Sequence, residues 1–242
     1  MSMTIKNAIH RIFRKTGYDF IRYLPDNFQS LKKRNLILSE GIDLVVDVGA
    51  HHGDYVAELR DSGYTGRVIS FEPLPLSFEI LQRRAIKDGN WLCVQSALGA
   101  EVSKREMFIS RRITSSSLLP MEKSHLDAAP DSAVVTTEIV DVKPLEFFLG
   151  DIIQPRERIF LKVDVQGYEM HVLRGAHQLM SQIKAMEIEL SFVPMYKGAP
   201  SFHDVLEYLE RQNYVLLSLK NVLNDPNSGR LLQVDGLFRK TD

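Results

Sequence analysis

The chain is built around the stretch Leu44-Val45-Val46-Asp47-Val48-Gly49-Ala50-His51-His52-Gly53-Asp54. Its first half is an apolar, β-branched run of strand length, and it leads into two glycines that lie four positions apart. A helical pattern follows, with Tyr55, Val56 and Leu59 on one face. The stretch therefore predicts a strand, a tight glycine turn and a helix. That arrangement places a small ligand on backbone N–H groups at a helix N-terminus.

The spacing of this turn limits which ligand it suits. A dinucleotide-binding turn has glycines at its first, third and sixth positions, which here are Gly49, His51 and Asp54. No Gly-Lys-Ser/Thr follows, so the turn is not a phosphate-binding loop either. A ligand with a ribose but no phosphate fits better. S-adenosylmethionine is such a ligand, and its positive groups suit the carboxylate of Asp47. The alternative is an ordinary turn in which the glycines only close the backbone.

A second predicted strand carries an acid at its end. The run Arg67-Val-Ile-Ser-Phe-Glu72-Pro73 is short and apolar, and its proline stops the strand. Glu72 lies 19 residues beyond Gly53, close to the separation of a carboxylate that accepts hydrogen bonds from ribose hydroxyls. The position therefore indicates a ribose-binding acid. The alternative is a solvated acid at a strand end.

Three segments resemble the FkbM-type family of S-adenosylmethionine-dependent methyltransferases. They are Asp47-Val-Gly-Ala-His-His-Gly53, Phe71-Glu72-Pro73 and Leu161-Lys-Val-Asp-Val-Gln-Gly-Tyr-Glu169, and the likeness runs from about Asp43 to about Leu217. The last segment, followed by Val-Leu-Arg-Gly-Ala, is the most specific. One departure is His51, where the family usually has asparagine. The resemblance implies a class I methyltransferase fold and, usually, O-methylation.

Alternating strands and helices follow from residue 43 onward. They predict a doubly wound α/β fold with a mostly parallel sheet and right-handed crossovers. Trp91 to Ala97 is predicted as the third strand, and Tyr214–Leu219 with Leu231–Phe238 as a closing antiparallel hairpin. Ligands of such sheets bind beyond the carboxyl ends of the strands. S-adenosylmethionine, with S-adenosylhomocysteine as its product, is therefore the predicted cofactor at these ends. The candidate cofactor-binding residues are Asp47, Gly49, Ala50, His51, Gly53, Glu72, Pro73, Ser96 and Ala97.

Charged residues are predicted to meet at the ends of two further strands. Lys162 and Asp164 share one face of the fourth strand, and Glu187 and Glu189 lie on the fifth. One interpretation is a buried salt-bridge network. The other is an acceptor site in which a carboxylate takes a hydroxyl proton or two carboxylates bind a divalent ion, although no metal is predicted. Asp164 is the first candidate for the base, with His171 and Glu189 in reserve.

Residues 103 to 143 interrupt the alternation. Arg105 to Arg111 and Val134 to Val142 are predicted strands, separated by a loop rich in serine and proline. An excursion of this length is typical of a segment that covers a substrate. The resemblance places a Ser-Ser-Leu element here, and Ser116, Ser117 and Leu118 match it. The alternative is a flexible surface loop. The candidate substrate-binding residues are Ser116, Ser117, Lys162 and Glu169.

Residues 1–40 are predicted to form a helical, basic extension or lid before a methyltransferase domain at 41–242. Residues 1–36 contain eight Lys or Arg and two acids, a balance of +6 in a chain whose net charge is -1. Apolar residues recur at helical spacing from Ile5 to Phe13, between basic ones. Such a helix either packs its apolar stripe on the domain or meets anionic lipid or a phosphate-bearing substrate. Tyr18 to Phe28 is the candidate lid.

Composition restricts the remaining function classes. The near-neutral charge argues against nucleic acid as a partner, and the single cysteine, Cys93, fits a reducing compartment. Because no stretch has the length and apolarity of a membrane span or a signal peptide, a cytoplasmic protein is expected.

The predicted function is O-methylation of a hydroxyl on a sugar, a glycan or a small natural product, with S-adenosylmethionine as the methyl donor. Two alternatives stay open at this point. One is a protein that binds S-adenosylmethionine without catalysis, and the other is a nicotinamide-dependent oxidoreductase. The spacing of Gly49 and Gly53 argues against the oxidoreductase. The sequence does not predict the oligomeric state.

Overall fold

A computed structural model describes residues 3–18, 24, 28–149, 152–154 and 156–241. Its strands are β1 Leu44–Val48, β2 Arg67–Phe71, β3 Trp91–Val94, β4 Ala97–Leu98, β5 Ser103–Ser110, β6 Val134–Lys143, β7 Ile159–Val163, β8 Ile183–Ser191, β9 Tyr214–Asn224 and β10 Leu231–Lys240. Its α-helices are α1 Met3–Lys15, α2 Gln29–Ser39, α3 Asp54–Asp61, α4 Pro75–Asp88, α5 Lys123–Ala128, α6 Leu145–Leu149, α7 Glu169–Arg174 and α8 Phe202–Arg211. Three 3₁₀ turns lie at Ile113–Ser115, Pro130–Ser132 and His177–Leu179.

Seven strands form the main sheet, in the order β3-β2-β1-β7-β8-β10-β9. The first five run parallel, whereas β10 is antiparallel to both β8 and β9. The strand order reverses between β1 and β7, so a crevice opens beyond their carboxyl ends. The doubly wound α/β fold with a closing antiparallel hairpin, predicted from the sequence, is confirmed.

The central strand β1 is buried on both faces, as its apolar, β-branched sequence requires. Leu44, Val46 and Val48 belong to one hydrophobic cluster, to which α7 and α8 contribute. Val45 belongs to a second cluster on the opposite face, together with residues of α2 and α3. Successive side chains point to opposite faces of a strand. The core therefore has two layers, with the sheet between them.

The third strand is shorter than predicted. β3 ends at Val94, and Ala97 and Leu98 form β4, which pairs with β6 in a separate three-stranded sheet. The chain turns at Ser96, whose hydroxyl donates to the carbonyls of Ala97 and Asp141. Residues 91–98 therefore contribute strands to two different sheets. The hydrophobicity of the segment does not show where one strand ends and the next begins.

The excursion between residues 103 and 143 is a folded subdomain. Its strands β5 and β6 pair antiparallel, and β4 completes a sheet of order β4-β6-β5. The sheet joins the main domain where Gly175 meets Gly99, because a Cβ at Gly175 would lie 1.9 Å from the Gly99 carbonyl oxygen. Next to this contact α7 ends at Arg174, and a 3₁₀ turn follows at His177–Leu179.

Helix α2 of the predicted N-terminal extension packs on the core of the domain. Leu36 and Ile37 of α2 are buried in the core, and Lys33 of the same helix is buried as well. Helix α2 is therefore part of the domain, whereas the candidate lid from Tyr18 to Phe28 lies mostly outside the described residues. Among the helices that the structure describes, none combines the length and the apolar character needed to cross a bilayer.

Candidate functional site

The main cleft opens at the carboxyl ends of β1, β2 and β7, under one edge of the excursion. It encloses about 720 Å³ when the open space at its mouth is included. The described residues that line it include two carboxylates, Glu72 and Asp164, and no lysine or arginine. Its remaining wall is largely apolar and includes Leu74, Met107 and Leu118.

The glycine turn forms part of the cleft wall, but its first two N–H groups are not free to bind a ligand. The N–H groups of Gly49 and Ala50 both donate to the carbonyl of Phe71, at 3.1 and 3.0 Å. These two amides are therefore already paired, because a carbonyl at the end of the neighbouring strand accepts from both. Gly49 has φ +76, and a Cβ there would lie 1.9 Å from the carbonyl oxygen of Asp164. Glycine lets β1 and β7 meet at the cleft.

Gly53 is needed for close packing between the turn and the neighbouring side chains. It has φ +84 at the N-cap of α3, and a Cβ there would lie 2.4 Å from the indole ring of Trp91. The structure therefore does not bring Gly53 into the cleft, although sequence spacing made it a cofactor candidate. Ala50 lines an adjoining cavity. His51, whose φ is 49, lines both that cavity and the main cleft. Burial lowers the pKa of His51, which favours its neutral form.

Glu72 is held rigidly at the end of β2. It is 5% exposed, and its two oxygens accept from the N–H groups of His51 at 2.8 Å and Leu74 at 2.9 Å. Burial raises the pKa of this carboxyl to about 7 although both amides act in the opposite direction. Each oxygen keeps a second lone pair, so the carboxylate can also accept from hydroxyls of a ligand in the cleft.

Pro73, Ser96 and Ala97 line the main cleft beside Glu72. The Ser96 hydroxyl is engaged with backbone carbonyls, so what this edge offers is mainly an apolar surface. Ser116 also lines the cleft, but its hydroxyl accepts from the Ser110 N–H. These residues are suited to flank a flat ring.

Asp47 lies beneath the turn. It is fully buried, one of its oxygens lies 3.3 Å from the Lys162 ammonium, and the other accepts from Ser70. Lys162 in turn donates to the Gly49 carbonyl at 3.0 Å. Burial alone would lower the pKa of Lys162, but the Asp47 and Asp164 carboxylates raise it. The structure therefore does not bring Asp47 into the cleft; this carboxylate holds a lysine that supports the turn.

Asp164 stands at the junction of the cleft with two further cavities. Its carboxylate accepts from the Gln166 amide at 2.8 Å, and its other oxygen lies 3.8 Å from Lys162. The same amide nitrogen donates to Glu189 at 2.8 Å, and the Gln166 carbonyl accepts from Tyr196 at 2.7 Å. The Asp164 side chain is 39% exposed, so it is fixed in direction yet open to a ligand.

Glu189 differs from Asp164 in environment. It is buried, and one of its oxygens accepts from the amides of Gln166 and Gln233. Burial and the neighbouring Asp164 carboxylate raise the pKa of Glu189 well above its usual range. Because that environment favours the neutral acid, Glu189 is less suited than Asp164 to take a proton.

The predicted meeting of charges on two strands is confirmed. Lys162 of β7 is paired in register with Glu187 of β8, and both line a polar cavity next to the main cleft, as do Asp164 and Glu189. Glu187 lies 3.0 Å from the Lys33 ammonium and accepts from Tyr55. For Glu187 the arrangement is that of a salt-bridge network. In the part of the chain that the structure describes, no group of His, Cys, Asp or Glu side chains is placed to hold a metal ion.

Three further candidates lie away from the cleft. His171 stacks on Tyr168 at 3.9 Å and faces a separate depression. Glu169 is buried and accepts from the N–H groups of residues 165 and 167, so it braces the turn. Ser117 donates to the backbone carbonyl of residue 166 and is also buried. Their side chains organise the site's frame and do not line the cleft.

Two residues that the sequence did not single out belong to the site. Gln166 connects Asp164, Glu189 and Tyr196, and its φ of 58 is a left-handed conformation that only a constrained turn maintains in a residue other than glycine. Thr114 lines the cleft and both cavities beside it. The sequence offered one signal, a glutamine before Gly167 at the end of a strand.

Comparison with known proteins identifies a family that matches this chain. Residues 47–216 match the Methyltransferase FkbM domain. A relative named Methyltransferase 1, from Beauveria bassiana (strain ARSEF 2860), is 32% identical over 143 residues, which are 54% of this chain and 57% of the relative. The chain thus matches little more than half of that relative's length.

Solved structures with a similar fold include two methyltransferases. Methyltransferase FkbM from Methylobacillus flagellatus KT aligns with a TM-score of 0.48 and 18% identity, over 81% of this chain and 43% of that one. Precorrin-6y C5,15-methyltransferase from Geobacter metallireducens GS-15 aligns with a TM-score of 0.44 and 14% identity, over 86% and 87%.

Proposed function

Because the chain belongs to the FkbM methyltransferase family, we propose that it uses S-adenosylmethionine to methylate a hydroxyl group of a sugar, a glycan or a small natural product. The observation that carries this proposal is the charge of the main cleft. Its described lining holds the carboxylates of Glu72 and Asp164, a histidine whose lowered pKa favours the neutral form, and neither lysine nor arginine. A cationic ligand suits such a cleft, and a pyrophosphate does not.

The residues present fit S-adenosylmethionine. Glu72 is placed to accept from ribose hydroxyls, and the apolar edge formed by Pro73, Leu74 and Ala97 suits an adenine ring. The described lining residues include no lysine or arginine that would repel the positive methionine end. The same features oppose a nicotinamide dinucleotide, whose pyrophosphate would find no cation among the described lining residues and no free amide at Gly49 or Ala50.

When bound, S-adenosylmethionine supplies an electrophilic methyl group on a sulfonium sulfur. Asp164 would take the proton of the acceptor hydroxyl as that hydroxyl accepts the methyl group. Gln166 and Lys162 hold the Asp164 carboxylate in place. Most of the acceleration would come from positioning the acceptor hydroxyl against the methyl donor. The base adds a factor of about 10² to 10⁴.

A labelled-methyl assay tests this function. The acceptors are glucose, glucuronic acid, glucose 6-phosphate and simple phenols, and the variant is Asp164→Asn, which keeps the shape and can still accept from Gln166. We expect methyl transfer by the wild type and a loss of at least about a hundredfold in the variant, with S-adenosylhomocysteine binding retained. Asp61→Asn, an exposed position at the end of α3, is the matched control.

Two results would change the conclusion. Undiminished turnover in Asp164→Asn would remove the proton-accepting role from Asp164 while leaving the methyltransferase intact. Binding of S-adenosylhomocysteine without transfer to any acceptor of the panel would favour the alternative of a non-catalytic S-adenosylmethionine-binding protein.

A further inference from the structure

A second opening leads to the same reaction centre. This side cavity lies between the excursion and the β9–β10 hairpin, and its lining includes Arg112, Thr114, His125 and Leu223. Asp164 lines the side cavity, the polar cavity and the main cleft alike. A molecule in the side cavity therefore reaches the base without passing through the space that the cofactor would fill.

The cations around these cavities differ in their partners. Each lysine that lines the polar cavity has a carboxylate oxygen within 3.4 Å. Arg112, in contrast, has no carboxylate within 4.0 Å among the residues that the structure describes, although it is exposed and lines the side cavity. Its guanidinium is therefore available to a ligand. The lysine pairs are Lys33 with Glu187, Lys162 with Asp47, and Lys220 with Asp235.

The side cavity carries acidic groups as well as this cation. Asp164 and Glu189 are on its wall, and neither lies within ion-pair distance of Arg112. His125 is 3% exposed, and burial, helped by the nearby Arg112, lowers its pKa to about 4. It is neutral near pH 7, and its Nδ1 has no hydrogen-bond partner among the described residues. The wall thus offers one unpaired positive charge, an unpaired neutral nitrogen, and carboxylates separate from both.

We propose that the side cavity binds the methyl acceptor and that this acceptor carries an anionic group, a carboxylate, sulfate or phosphate, in addition to its hydroxyl. This inference rests on the proposed function. The anionic group binds Arg112, whose planar guanidinium matches such oxyanions with two parallel hydrogen bonds. The uncharged hydroxyl end lies at Asp164, because the carboxylate there would repel the anion. The two unlike groups in one cavity thereby orient the acceptor.

The test is a titration of the isotope-labelled chain with small anions, followed by nuclear magnetic resonance at the amides of residues 112, 114 and 125. Inorganic phosphate, inorganic sulfate and acetate serve as the probes, and their ranking distinguishes the three oxyanion classes. The variant is Arg112→Gln. The matched control is Arg111→Gln, because Arg111 is an exposed neighbour that does not line the side cavity.

We expect the tightest of the three anions to shift these amides in the wild type. Its dissociation constant should rise at least tenfold in Arg112→Gln and less than twofold in Arg111→Gln. The inference is overturned if none of the anions shifts these amides, or if the two variants weaken binding equally.

Failure of this inference and failure of the proposed function remain distinguishable. The anion titration is run with and without saturating S-adenosylhomocysteine. If S-adenosylhomocysteine does not bind, the proposed function fails whatever the anions do. If it binds while Arg112→Gln leaves anion binding unchanged, the function stands and the anionic acceptor is refuted.

Discussion

The carboxylate of Glu72 is buried and tied to two backbone amides, and these two facts act in opposite directions on its charge. Burial dominates and raises its pKa to about 7, while the His51 and Leu74 amides favour the ionised form. Since the folded-state pKa lies above the unfolded value of 4.5, this group makes the unliganded protein less stable as pH rises between these two values. A ligand whose hydroxyls donate hydrogen bonds to the carboxylate favours the ionised form. Its binding therefore restores part of the stability that the protein loses as pH rises.

This environment predicts that S-adenosylhomocysteine binds more tightly as pH rises. With a pKa of about 7 for Glu72, the ionised fraction is small at pH 6 and nearly complete at pH 8, so the affinity should rise about tenfold over that interval. Calorimetric titrations at a series of pH values measure it. The rise should be absent in Glu72→Ala and present in Glu79→Ala, an exposed control on α4. A flat profile in the wild type would contradict this role of Glu72.

At the residue scale, the sequence predicted which residues lie at the site better than it predicted the residues with which they form hydrogen bonds and ion pairs. Glu72 and Asp164 were found because acids that follow parallel strands reach one edge of the sheet. The burial of Asp47 and the bridging role of Gln166 were not found. Both depend on contacts between separate segments, from Lys162 on β7 to Asp47 on β1 and from Gln166 after β7 to Tyr196 after β8. Such pairs follow from strand order and register, which one sequence does not specify.

Among the secondary-structure elements, β1 and β7 approach each other closely where they end at the site. Gly49 has no room for a side chain, because the carbonyl of Asp164 occupies the place of its Cβ. The turn after β7 is braced in addition by Glu169, which accepts from two of its amides. The position of the base therefore depends on how tightly the two strand ends meet.

Gly49→Ala tests this contact. We expect a loss of about 3 kcal/mol or more in unfolding free energy, because backbone strain at φ +76 adds to a clash with backbone atoms. Gly63→Ala is the matched control, since Gly63 also has positive φ but open space around its Cβ position, and should cost only about 1–2 kcal/mol. Urea unfolding gives both values. Equal losses would show that the β1–β7 approach is not tight.

The bounds of the strands were predicted more accurately than the neighbouring strands with which they pair. The strands of the excursion were placed within a few residues, yet their assembly with Ala97 and Leu98 into a second sheet was not predicted. An apolar run shows that a segment is buried and not which sheet receives it. The same limit made the third strand too long.

For the molecule as a whole, the resemblance and the alternating pattern predicted the fold class, and the sheet order confirms it. The N-terminal region was harder, because α2 has no clear apolar stripe and its burial comes from packing on the domain. Contact of the basic α1 with anionic lipid or a phosphate-bearing substrate stays a prediction. Methyl transfer is proposed from the family to which the chain belongs, and the acceptor is proposed from the cavities around Asp164.

The most direct measurement is a calorimetric titration of the purified chain with S-adenosylhomocysteine and, separately, with NADH. We predict that the wild type binds S-adenosylhomocysteine and not NADH. Glu72→Ala should weaken binding at least about tenfold, since a hydrogen bond to a charged group contributes about 1.5–3 kcal/mol, and Glu79→Ala should leave it unchanged. Binding of NADH, or no binding of S-adenosylhomocysteine by the wild type, would contradict the assignment of the main cleft.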